Sequence, residues 1–218
     1  MTQKQRQRHP EPVPDVVTWT GEELPPATVV MTPNGVAYAD ERPRDRDVDD
    51  VLWARSGNDR TGEPQFADMH PARQRAAMEN LTCQVCTKPA ERTPEGVMWL
   101  LPDDRSQHTD WPDWPNGVAT SNPPVCERCA PIAADRCRRL RRGCVAFRAR
   151  EAELVGVEGW VYPPPGAAAS RGHRVVLFDD PAIRWTIADQ LIRELRSCTH
   201  LWRAVNGRRV PVRAAALP

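Results

Sequence analysis

Two CxxC pairs, Cys83 with Cys86 in "NLTCQVCTKPAE" and Cys126 with Cys129 in "PPVCERCAP", constrain this chain more than any other feature. A CxxC turn sets two sulfurs at adjacent corners of a tetrahedron, and two such turns complete a closed four-cysteine site. The 39 residues between Cys86 and Cys126 suffice for a hairpin and a loop that bring the second pair back to the first. Thr93-Pro94-Glu95-Gly96 has the proline and glycine of a type I turn, so "GVMWLL" reads as the second strand of that hairpin. Pro131 suits a helix start just past the second pair, where the helix N-terminus favours thiolates. The metal this spacing points to is one zinc ion. Four thiolates leave it no open position for water, so it is expected to be structural. Unligated thiols or two separate redox pairs are the alternatives. Cys137, Cys144 and Cys198 fall on apolar stripes and read as buried thiols.

The rest of the chain predicts an α+β fold of short antiparallel strands around that central unit. An apolar share of 40% supports a core, and 23 prolines favour turns over long helices. "MTQKQRQRHPEPVPD" has basic residues with no apolar stretch after them, which suits a disordered tail over 1–14 better than a secretory signal. No apolar run approaches the roughly 18 residues that span a membrane, so no membrane partner and a cytoplasmic location are expected. An odd number of cysteines, seven, also fits a disulfide framework poorly.

Over 15–80 the sequence predicts a β segment with a short helix. "DVVTW" reads as a strand, and Thr32-Pro33-Asn34-Gly35 turns a hairpin over 28–39. Pro71 opens a helix over 71–80. The zinc unit with its arginine-rich helix is expected over 81–150, with a soft boundary near 150 and one continuous domain as the alternative. That helix runs from Pro131 to Gly143, with Ile132, Ala133, Cys137, Leu140 and Cys144 on its apolar stripe. Over 151–218 a small sheet of "LVGVEGWVY", "RVVLF" and "IRWTI" is expected. It is followed by an amphipathic helix over 188–204, because Ala188, Leu191, Leu195, Cys198, Trp202 and Val205 fall at helical spacing.

The order knuckle, hairpin, long loop, knuckle, helix resembles the treble-clef zinc fold over about residues 81–143. "CQVC…CERC" is similar to the zinc-binding frame of HNH-type endonucleases. That resemblance implies a catalytic histidine, beside an acid, on the strand after the first knuckle. The strand carries Trp99 and Leu100 instead, and Asp103, Asp104, His108 and Asp110 follow in a loop. Those four are the candidates for a metal-dependent nuclease with atypical catalytic residues. The whole layout also resembles actinobacterial proteins with the same paired CxxC, a likeness that supplies no function.

Between Cys126 and Arg150 eight arginines face only Glu127 and Asp135, in a chain whose net charge is +1. Arg136, Arg138, Arg139, Arg141 and Arg142 cluster on the helix that leaves the second knuckle, an arrangement suited to phosphate. The opposing reading is a solvated face offset by the acidic segment 40–50. Trp111 and Trp114 in "DWPDWP" are candidates for stacking on bases, for anchoring a protein, or for a lid over the zinc site. The function this predicts is a non-enzymatic, zinc-stabilised binding protein. It would contact nucleic acid or a protein partner through the arginine helix and the tryptophan loop.

Overall fold

A computed structural model of the chain describes residues 13–105, 110–167, 170–206 and 208–210. The expected tail lies outside the described residues as far as position 12. Short strands come first: β1 (Val17–Trp19), β2 (Val29–Thr32), β3 (Gly35–Tyr38), β4 (Leu52–Trp53) and β5 (Pro64–Met69), followed by helix α1 (Pro71–Asn80). Next are β6 (Arg92–Thr93), β7 (Gly96–Pro102), β8 (Val118–Thr120) and two short helices, α2 (Ala130–Arg136) and α3 (Arg138–Arg142). The long strands β9 (Cys144–Val161) and β11 (Thr186–Val205) follow, with β10 (Gly172–Leu177) between them and β12 (Arg208–Val210) after.

An eight-stranded sheet organises these elements in the order β12-β11-β9-β7-β6, with β10 on β9, and β4 and β8 on β11. Both expected hairpins are present. β2 pairs with β3 across Thr32 and Gly35, and β6 pairs with β7 across Thr93 and Gly96. At Gly96 the glycine is required twice over. Its φ is 105°, and a Cβ there would come within 1.9 Å of the Ala149 carbonyl oxygen on β9.

Strand β7 lies between β6 and β9 and is covered on both faces, which explains the unbroken apolar run "GVMWLL". Trp99 and Leu101 join Val145, Phe147, Met78 of α1 and Trp114 in one core cluster. Met98 and Leu100 face the other way, with Cys144, Ala146, the paired cysteines and Ala130 and Ala134 of α2. Polar clasps tie α1 to the sheet. Gln74 is fully buried, donates to the carbonyls of Ser121 (2.7 Å) and Leu191 (2.9 Å), and accepts from the Leu191 N–H at 2.9 Å. Arg193, also buried, donates to the carbonyls of Met78 (2.9 Å) and Glu79 (3.4 Å) at the end of α1.

Two expectations need correction. The amphipathic helix over 188–204 is strand β11, paired with β9 along its length. Its helical spacing has a β explanation. The register jumps between Ala188 and Gln190, and Ser197 takes a left-handed φ of 53°. These two irregularities re-phase the pleat, so Ala188, Leu191, Leu195 and Cys198 meet the same core. After a further register shift, between His200 and Trp202, Trp202 packs on the opposite core. The second correction is to the arginine helix, which is two pieces, since Cys137 adopts an extended conformation (φ −72°, ψ 120°) between them. Cys137 and Ile132 are exposed, Ala134 faces the core in their place, and Cys144 opens β9. Residue 150, at the soft boundary expected between the central and C-terminal segments, lies inside β9. The central and C-terminal segments therefore share one sheet.

Candidate metal centre

The first knuckle is shaped by its own backbone. Cys83 N–H donates to the Lys88 carbonyl (2.8 Å) and the Thr87 N–H donates back to Cys83 (2.9 Å), with Thr87 at a φ of 63°. The second knuckle is a turn running into α2, with the N–H groups of Cys129 and Ala130 both donating to the Cys126 carbonyl at 3.0 Å. Gln84, inside the first CxxC, joins the two. Its backbone N–H reaches the Pro124 carbonyl at 3.0 Å and its Nε2 the Pro123 carbonyl at 2.7 Å. A second brace comes from Arg148 of β9, which is buried. It pairs with Glu127 inside the second CxxC and donates to the carbonyls of Glu91 (3.1 Å) and Gly96 (3.0 Å). The Glu127 N–H in turn donates to Glu91 Oε2 at 3.1 Å.

These braces bring the sulfurs of Cys83, Cys86, Cys126 and Cys129 within 4.8 Å of one another, and such a group could hold a metal ion. Cys83, Cys126 and Cys129 are buried and Cys86 is partly exposed. The Cys86–Cys126 sulfur separation is 3.8 Å. A tetrahedral ion with metal–sulfur bonds of about 2.3 Å has an edge of about 3.8 Å, so the donor set fits such an ion. Burial pushes the Cys83 thiol up to about 11 and raises Cys129 as well. At Cys86 desolvation also acts upward, but the Lys88 backbone N–H and the neighbouring thiols outweigh it and lower the pKa. Four thiolates at this spacing repel one another, and a divalent cation at their centre removes that repulsion.

The other candidate residues do not gather at this centre. Asp103 has little exposure (9% of its side chain) and is held by two arginines. Its Oδ1 accepts from Arg105 Nε at 2.8 Å, and its Oδ2 from Arg203 at 2.6 and 3.0 Å. Burial would raise the Asp103 pKa, but the two guanidinium groups outweigh it and lower the value. Asp104 lies 3.8 Å from Arg139, and Asp110 is exposed. His108 lies outside the described residues. Trp99 and Leu100, where the nuclease resemblance requires chemistry, are buried in the two opposite cores. Trp114 is buried in the α1-side core with Trp99 and Leu195, and Trp111 packs against that cluster. Trp111 also donates its Nε1 to the Asn116 carbonyl at 3.0 Å. The tryptophan loop is thus a lid over the α1-side core, on the sheet face away from the cysteines. This corrects both the contact-surface reading of Trp114 and the zinc-lid reading.

Arg136, Arg138, Arg139, Arg141 and Arg142 are all exposed on α2 and α3. Arg136 pairs with Asp135 at 3.4 Å and Arg139 with Asp104 at 3.8 Å. Among the described residues no carboxylate pairs with Arg138, Arg141 or Arg142. The acidic segment is engaged elsewhere: Asp40 and Asp45 hold Arg55, Glu41 and Asp50 hold Arg46, and Asp47 accepts from Trp53. Sequence reasoning missed the Gln84 and Arg148–Glu127 braces. Their one local signal was a carboxylate between the cysteines of "CERC".

Fold and site together define a mixed α+β protein, mostly strands, with a four-cysteine centre able to hold a metal ion. No family model, curated protein or solved structure matches this chain. Among the described residues no helix is long and apolar enough to cross a membrane.

Proposed function

We propose that this chain is a non-enzymatic binding protein in which one structural zinc ion locks α2 onto the sheet. In this reading the arginines of α2 and α3 dock on the phosphate backbone of nucleic acid. Zinc is favoured by a closed set of four sulfurs with no further ligand needed. The sequential order first knuckle, β6–β7 hairpin, second knuckle, α2 supports a treble-clef-like unit. One observation carries the binding claim: the acidic segment 40–50 is held by other partners, and Arg138, Arg141 and Arg142 are left open to solvent. Guanidinium groups in that state release counterions when they meet phosphate. The nuclease alternative has less support, because Asp103 already spends both carboxylate oxygens on arginines.

Substituting Arg138, Arg141 and Arg142 together by alanine tests this directly, since all three are exposed and the fold should survive. Wild-type affinity for nucleic acid is expected to fall with salt. The triple variant should lower the steepness of log K against log salt by about 2–3, at about 0.7–0.9 per lost phosphate contact. Wild-type binding that ignores salt, or no binding at about 50 mM, would overturn the nucleic-acid reading and point to a protein partner.

A further inference from the structure

The basic face does not end at the helices. Arg209 on β12 is registered opposite Ala204 of β11, and Ala204 belongs to the core beneath α2. Cross-strand neighbours share a face, so Arg209 stands on the same side of the sheet as the cysteines and α2. Trp202, two residues before Ala204, packs on that core together with Leu140 of α3. The Arg209 guanidinium lies over the Trp202 ring, 4.5 Å from its centroid.

Two of the other stacked arginines are tied down, and the stacks of Arg171 on Trp160 and Arg184 on Trp185 lie at the opposite end of the β9–β11 pair from α3. Arg55 over Tyr38 is held by Asp40 and Asp45, and Arg75 over Trp53 by Glu79. Arg209 is exposed, and among the described residues no carboxylate pairs with it. Its outer plane is flat, delocalised, weakly hydrated and already oriented by the indole below it. Such a surface suits the face of a nucleobase, and a base is free to reach it only when it is not stacked inside a duplex.

Resting on the nucleic-acid reading above, we propose that the Trp202–Arg209 stack receives a base of an unpaired strand whose phosphates follow the arginines of α3. The partner is therefore single-stranded nucleic acid rather than duplex. The decisive variant is Arg209→Lys, which keeps the charge and removes the plane. The probes are oligo-dT and oligo-U of about 12 nucleotides, within the footprint of about 4–16 that such surfaces cover, and a duplex of the same length. The two oligomers separate DNA from RNA, and R209K must weaken whichever binds tighter. The expected loss is about tenfold, with the salt slope retained because no charge is lost. R209K binding as tightly as wild type would overturn the proposal, and so would a duplex bound at least as tightly as the single strand. Failure of the underlying reading looks different: the R138A/R141A/R142A variant would then bind both probes as the wild type does.

Discussion

Arg148 and Arg142 belong to the same arginine-rich stretch and do unrelated work. Arg142 is exposed on α3, while Arg148, six residues on, points inward from β9 and braces the second knuckle through Glu127. The change from helix to strand at Gly143 separates them, and arginine count alone cannot locate that change. Asp103 carries a similar lesson. As a loop acid after the hairpin it reads as a catalytic candidate, yet it bridges Arg105 and the distant Arg203. Its folded pKa is depressed, so its contribution to stability is fully present above the ordinary carboxylate value of about 3.9 and is lost as pH falls through the lower folded value. Asp103→Asn should therefore cost about 2 kcal/mol near neutral pH. The difference in thermal midpoint from wild type should shrink below about pH 4. A difference that stays constant with pH would exclude this role. The cysteines, by contrast, were legible because CxxC spacing is a local geometric code, whereas the partners of Asp103 are set by the topology of the sheet.

Among the elements, the hairpins and α1 were readable from turn residues and Pro71, and β11 was not. Three-and-four spacing of apolar residues signals a helix only while the backbone stays regular. In β11 the extra residue near Asp189 and the left-handed Ser197 imitate that spacing on a strand. Long-range pairing with β9 then decides the outcome, as tertiary context commonly overrides local preference. Gln74 ties α1 to β11 beside Arg193, and Gln74→Leu leaves the buried Leu191 N–H and carbonyl and the part-buried Ser121 carbonyl without their partner. A loss of about 3 kcal/mol is expected, read as a lower urea midpoint at unchanged m-value. A loss under about 0.5 kcal/mol would show that the Gln74 clasp adds little to the hold of apolar packing and Arg193 on α1.

For the whole molecule, a net charge of +1 concealed a separation of charge. The acidic segment 40–50 is tied to Arg46 and Arg55 near β3 and β4. The arginines of α2 and α3, with Arg209, lie on the side of the sheet that carries the cysteines. Composition sums the two regions, and only the fold reveals that they do not cancel one another. The cysteine centre underlies this arrangement, because α2 packs on β7 through the core that contains the four sulfurs. In a closed four-thiolate site the binding free energy of the metal is part of the folding free energy. Metal analysis of the purified protein beside Cys126→Ser is therefore the most direct test. About one zinc per wild-type chain is expected, with loss of both the metal and the packing of α2 on β7 in C126S. Less than about half an equivalent of zinc in a fully folded wild type would contradict the metal centre.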